Sequence, residues 1–124
     1  MATLITGAGG FLGGHLCRVF SEAGHEVRAA DLPGVADVDL DVTDDASVAA
    51  ATQGVDTVVH AAGVFDLTAP EELLFTVNAE GARRTAEAAA AAGCKRFVLI
   101  SSTSVYGRGA DLASEHTPKA PEHA

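Results

Sequence analysis

The chain has 124 residues, enough for one modest domain and too few for a two-domain enzyme. Apolar residues make up 48% and charged residues 20%, the balance of a globular protein, and with 5% aromatics and no Trp the core has to come from Ala, Val, Leu and Ile. Seventeen acidic residues against 8 Lys and Arg give a net charge of -9, which opposes nucleic acid or an anionic membrane surface as a partner.

Cys17 and Cys94 stand far apart with no CxxC or Cys/His spacing, so they read as reduced, buried thiols of an intracellular protein. His15, His25, His60, His116 and His123 share no ligand spacing, so no metal site is expected. The first residues lack the basic region of a signal peptide, and no charge-free apolar stretch of about 18 residues occurs. The expectation is a cytoplasmic protein with no membrane partner.

In chain order, Leu4, Ile5 and Thr6 form a short apolar run stopped by Gly7, and from Phe11 the apolar residues follow helical spacing to Gly24. Strand, glycine turn and helix are expected there. Residues 26–31 read as a second strand closed by Pro33 and Gly34, and residues 38–42 as a short third. Thr43 or Asp44 then caps a helix running to about Gln53. Residues 55–63 have the apolar run of a central parallel strand. Residues 70–92 read as one long helix, with Glu80 and Arg84 paired one turn apart and Gly93 as its stop. Residues 96–101 form the fifth strand, and the text turns polar after Gly107. Strands alternating with helices imply a doubly wound α/β fold, a parallel sheet of order 3-2-1-4-5. The expected division is a dinucleotide-binding unit over residues 1–107 and a loop or frayed segment over 108–124, with the sheet incomplete at its C-terminal side.

The glycines at 7, 10 and 13 lie between the first strand and the first helix, where each has a job. Gly7 makes the tight turn, Gly10 lets the backbone approach a pyrophosphate at the helix N-terminus, and Gly13 lets the helix lie close on the sheet. Asp31 ends the second strand, where an acid accepts hydrogen bonds from ribose hydroxyls; no Arg or Lys in the loop awaits a 2′-phosphate, which favours NAD over NADP.

These motifs together resemble the extended short-chain dehydrogenase/reductase family, in particular its NAD-dependent epimerase/dehydratase group. The stretch Thr6, Gly7, Ala8, Gly9, Gly10, Phe11, Leu12, Gly13 is similar to the family's TGxxGFxG loop. The resemblance implies NAD as cofactor and a contacting set of Gly7, Gly9, Gly10, Phe11, Leu12 and Gly13 in the loop and Asp31 and Leu32 at the second strand end. It adds Asp41 and Val42 beside adenine, Ala61, Ala62 and Gly63 in the turn after the fourth strand, and Asn78, which braces the active-site strand. It also implies a dimer through the long helix, whose alanine surface reads equally well as packing on the sheet.

The segment Ser101, Ser102, Thr103, Ser104, Val105, Tyr106, Gly107 resembles the one that carries the family's active-site hydroxyl, which falls on Ser102. Thr103 and Ser104 stand where dehydratases carry Asp and Glu, which argues against dehydration and toward epimerase or reductase chemistry. The family's YxxxK pair follows a lead-in similar to Glu115, His116, Thr117, Pro118, and the chain ends at Ala124 ahead of such a motif; Tyr106 reads as packing. The expected function is therefore the NAD-binding part of an oxidoreductase acting on a secondary alcohol, with a nucleotide sugar favoured as substrate. The competing expectation is a non-catalytic NAD-binding sensor or partner subunit.

Overall fold

The computed structural model describes residues 2–109 and 112–122; Met1, Ala110, Asp111, His123 and Ala124 lie outside the described residues. Five parallel strands, counted along the chain, take the spatial order 3-2-1-4-5, as expected. At the centre β1, Ala2–Thr6, is buried along its whole length. It pairs with β2, Glu26–Asp31, on one side and with β4, Thr57–His60, on the other. The short β3, Val38–Asp39, lies beyond β2, and β5, Arg96–Leu99, beyond β4.

Leu4, Val58, Leu40, Val48, Ala51 and Ala89 form one apolar cluster between the sheet and the helices α2, Asp45–Thr52, and α4, Gly81–Ala91. Side chains alternate faces along a strand, so buried Ile5 and Val59 point away from that cluster. The helix α1, Phe11–Glu22, packs on β1 and β2. Because the connections reverse direction between β1 and β4, the strand ends there open a crevice at the C-terminal edge of the sheet.

Several elements are shorter than the sequence pattern suggests. The third strand stops at Asp39: Leu40 still donates to Asp31 O at 2.7 Å, but the Asp41 carboxylate then accepts from Thr43 N at 2.8 Å and turns the chain. The fourth strand stops at His60 because the N–H groups of Ala61 and Ala62 turn to the Thr6 hydroxyl instead of the ladder. The fifth ends at Leu99, with one further bond from Ile100 N to His60 O. Asp44 caps α2 by accepting from Ala46 N.

The expected long helix starts after Pro70 as α3, Glu71–Leu74, widens into a π-helical stretch over Phe75–Glu80, and continues as α4. The expected Glu80–Arg84 pair does not form. Arg83 takes Glu80 at 2.8 Å and Glu87 at 2.7 Å, while Arg84 turns off the helix toward Asp45 and the Val42 carbonyl. Cys17 and Cys94 are free and half-buried, not fully buried; burial pushes both thiols up, and Cys94 Sγ donates to Val55 O at 3.2 Å. Among the described residues after 107, Ala120 N donates back to Val105 O at 2.8 Å, ahead of the segment, and Arg108 pairs with Glu122 within it at 3.1 Å.

Candidate functional site

The ends of all five strands point to one edge of the sheet, and parallel register sets Thr6 beside both Ala30 and His60. The loop leaving β1 is wound tightly. Gly7 has φ +69°, and a Cβ there would lie 2.8 Å from the backbone of Ala61 and Ala62; a Cβ on Gly13 would overlap the Gly7 carbonyl. Glycine at both places lets α1 begin directly on the strand end. Gly10, the residue before α1, offers no side-chain cap, and the first turn holds no acid. The first N–H groups of the helix have no intrahelical partner and so face outward as anion donors. Phe11, 86% exposed, marks how open that turn is.

Asp31 sits beside this loop. Its Oδ2 accepts from Gly9 N at 2.8 Å and its Oδ1 from Leu32 N at 2.7 Å, which fixes the carboxylate and leaves each oxygen a lone pair for a hydroxyl donor. A pyrophosphate at the helix start and a ribose diol at Asp31 are the groups this geometry suits, so the residues present fit a dinucleotide. A carboxylate there repels an added phosphate.

Across the crevice, the Thr6 hydroxyl organises the turn after β4. It accepts from Ala61 N at 3.2 Å and Ala62 N at 3.1 Å, and lies 3.0 Å from His60 Nδ1. Two accepted bonds occupy both lone pairs, so the hydroxyl proton goes to Nδ1 and the imidazole carries its own proton on Nε2. That Nε2 is buried with no hydrogen-bond partner among the described residues, and burial pushes the His60 pKa down to about 4. The ring is neutral at pH 7 and stacks on Phe97 with centroids 6.0 Å apart.

Asn78, in the π-helical stretch, closes the next step of the same turn. Its Oδ1 accepts from Val64 N at 2.7 Å and its Nδ2 donates to Val64 O at 3.0 Å, as a neighbouring strand would. These two bonds tie the long helix to the turn after β4. Gly63 lies against the Asn78 amide, where a Cβ would be 3.1 Å from Oδ1.

A cleft of about 680 Å³ runs from this turn to the end of β5, lined by Phe65, Leu67, Leu74, Ile100, Ser102 and Val105 among others. Ser102 leads a 3-10 turn over Thr103–Tyr106: its Oγ accepts from Ser104 N at 3.1 Å and donates to Ser104 Oγ at 3.1 Å. Tyr106 lines a separate hollow with Leu112, Pro118 and Ala120. Asp41 and Val42 lie at the far end, past β3. Thr43 donates from its N–H and its hydroxyl to Asp41 Oδ1, and these bonds hold the carboxyl below the usual range. The expected residues therefore fall into a central group of glycine loop, Asp31 and β4 turn, flanked by Ser102 and by Asp41 with Val42. Sequence reasoning missed the part played by Thr6, His60 and Arg84; only the pairing register reveals that a strand-end Thr and a strand-end His fall side by side.

A family model described as the NAD dependent epimerase/dehydratase family matches residues 3–124. A 3-beta-hydroxysteroid dehydrogenase of Mycolicibacterium neoaurum is 37% identical over 126 residues, covering 90% of this chain and 34% of that protein. A short-chain dehydrogenase/reductase superfamily protein from Agrobacterium tumefaciens, solved with bound NAD, superposes with a TM-score of 0.87 at 34% identity, over 98% of this chain and 39% of the other. The UDP-glucose 4-epimerase of Thermus thermophilus in complex with NAD gives a TM-score of 0.84 at 27% identity, over 99% and 45%. The chain spans about a third of the length of the curated relatives it matches.

Proposed function

The chain belongs to the NAD dependent epimerase/dehydratase family, and on that premise we propose that it is the NAD-binding part of an oxidoreductase acting on a secondary alcohol, with residues 1–107 as the binding unit. The observation that carries this reading is the uncapped start of α1 beside the fixed Asp31 carboxylate. The N–H groups of Phe11, Leu12 and Gly13 receive the pyrophosphate, with side-chain-free Gly7, Gly9 and Gly10 letting it approach, Asp31 and Leu32 the adenosine ribose, Asp41 and Val42 the adenine. The turn of Ala61, Ala62 and Gly63, held by Thr6 and Asn78, lies along the other half. When bound, NAD supplies a hydride acceptor. Ser102, with a hydroxyl free to rotate from Ser104 to a ligand, donates a hydrogen bond to the substrate oxygen and stabilises charge developing there. Solved relatives with bound NAD support the cofactor.

The cleft shifts the substrate reading. A nucleotide sugar brings a diphosphate, yet Arg108 is the only Lys or Arg among the described lining residues and it is already paired with Glu122. Phe65, Leu67, Leu74, Ile100 and Val105 instead offer apolar walls. An apolar secondary alcohol suits them better, in keeping with the hydroxysteroid dehydrogenase relative. Exposed Leu73 and Phe75 on the long helix support a homodimer through that helix.

The test is turnover by the full-length protein that carries this chain, followed by NADH absorbance, with sterol-like alcohols against UDP-sugars. Ser102→Ala is expected to lower kcat by about 10²–10³-fold, the cost of one such donor. Absence of NAD binding, or an unchanged kcat in the variant, overturns the reading.

A further inference from the structure

Arg84 stands out among the charged residues because it leaves its own helix. Its neighbour Arg83 pairs with Glu80 and Glu87 along the exposed helix surface. Arg84, with a side chain only 21% exposed, crosses to the loop after β3: Nη1 donates to Val42 O at 2.9 Å and Nε to the Asp45 carboxylate. One planar guanidinium thus grips the carbonyl of one residue and the first helical residue of α2.

The helix backbone also comes unusually close at this point. A Cβ on Gly81 would lie 2.7 Å from Val42 Cγ2 and 3.1 Å from Val42 Cβ, so Val42 is wedged against the first turn of α4. Gly81 O, in turn, accepts from Thr85 Oγ1 at 2.7 Å. On the loop side, Asp41 N donates to Ser47 Oγ at 2.9 Å and Thr43 secures Oδ1, while Asp41 Oδ2 makes no bond among the described residues. The carboxylate edge left over is therefore set by a frame whose two long-range ties run through Arg84.

We propose that Arg84 is a positioning residue for the adenine end of the cofactor site: by tying Val42 O and Asp45 to α4 it fixes where Asp41 and Val42 stand. The proposal rests on the reading of Asp41 and Val42 as the adenine contact. The long helix then serves both halves of the crevice, Asn78 holding the turn after β4 and Arg84, six residues on, holding the loop after β3.

The experiment is isothermal titration calorimetry on the full-length protein with NAD, ADP and nicotinamide mononucleotide. Arg84→Met is expected to raise Kd for NAD and for ADP by about tenfold, the worth of a charge-assisted hydrogen bond, and to leave nicotinamide mononucleotide unchanged. Arg84→Lys keeps the charge but has one nitrogen for two sites, and falls between. Arg83→Met leaves all three affinities unaltered. Equal weakening of all three ligands by Arg84→Met, or a Kd for ADP within twofold of the parent, overturns the proposal. Should Arg84→Met fail to fold, Asp45→Asn removes one tie from a side chain that is 87% exposed; a rise of about threefold for NAD and ADP with nicotinamide mononucleotide unchanged supports the proposal, and no change for NAD and ADP overturns it. A parent protein that binds neither NAD nor ADP defeats the functional reading and this inference with it, an outcome distinct from parental binding with an indifferent Arg84.

Discussion

Replacing Thr6 by Val keeps the shape of a fully buried side chain and deletes one oxygen that makes three hydrogen bonds. Two of the bereaved groups, the N–H of Ala61 and of Ala62, belong to half-buried residues that water reaches in part, so each loses about 0.5–1 kcal/mol. The third, His60 Nδ1, is buried and has no alternative donor among the described residues; an orphaned group of that kind costs about 1–3 kcal/mol. The expected total is about 3 kcal/mol, read as a fall in urea-unfolding free energy at pH 7. Thr6→Ser restores the hydroxyl and is expected to recover most of that loss. The tautomer gives a second readout, because the same accounting puts the His60 proton on Nε2, which the nitrogen chemical shifts of the imidazole report directly. A Thr6→Val variant within 1 kcal/mol of the parent, a serine variant as damaged as the valine one, or a proton on Nδ1 refutes the reasoning.

His60 also gives a pH signature. Its folded pKa of about 4 lies below the unfolded 6.5, so the unfolded chain takes up the proton first, and the stability present above pH 6.5 declines toward pH 4 by about 3 kcal/mol; His60→Phe is expected to flatten that part of the unfolding-against-pH curve. Gly7→Ala forces a Cβ into the backbone of Ala61 and Ala62 and is expected to abolish NAD binding measured by calorimetry. Gly24→Ala, also at positive φ but with nothing within 4 Å, is expected to cost about 1 kcal/mol in the same unfolding assay and to bind NAD normally.

Strand order and the glycine loop were legible because they are local signals: an apolar run, a Gly7 that needs positive φ, helical spacing from Phe11. The ends of β3 and β4 were not. Their strand patterns, apolar residues alternating with Asp through Val42 and a mainly apolar run through Ala62, continue past the observed ends, and what stops each strand is a side chain offering its backbone another partner, Asp41 to Thr43 in one case and Thr6 to Ala61 and Ala62 in the other. The second is 55 residues away in sequence, beyond the reach of any window. The π-helical stretch was hidden for a similar reason. Its residues, Phe75 to Glu80, suit an ordinary helix, and the wider turn goes with the Asn78 amide matching the backbone of Val64. Arg84 was paired with Glu80 on spacing alone, and tertiary geometry gave it Asp45 and Val42 instead.

The clip between Thr6 and His60 bears on the order in which the molecule assembles. β1 meets β2 across a span of 24 residues, as from Ala2 to Glu26, but meets β4 across 54, as from Thr3 to Thr57. Closing the longer loop costs more chain entropy, and parallel pairing rewards it only once both strands are in register. The unit of β1, α1 and β2 is therefore expected to form first, bringing the glycine loop and Asp31 together early. The β4 turn is then expected to dock afterward, when the Thr6 hydroxyl captures it, so that the two sides of the crevice are completed at different times in folding.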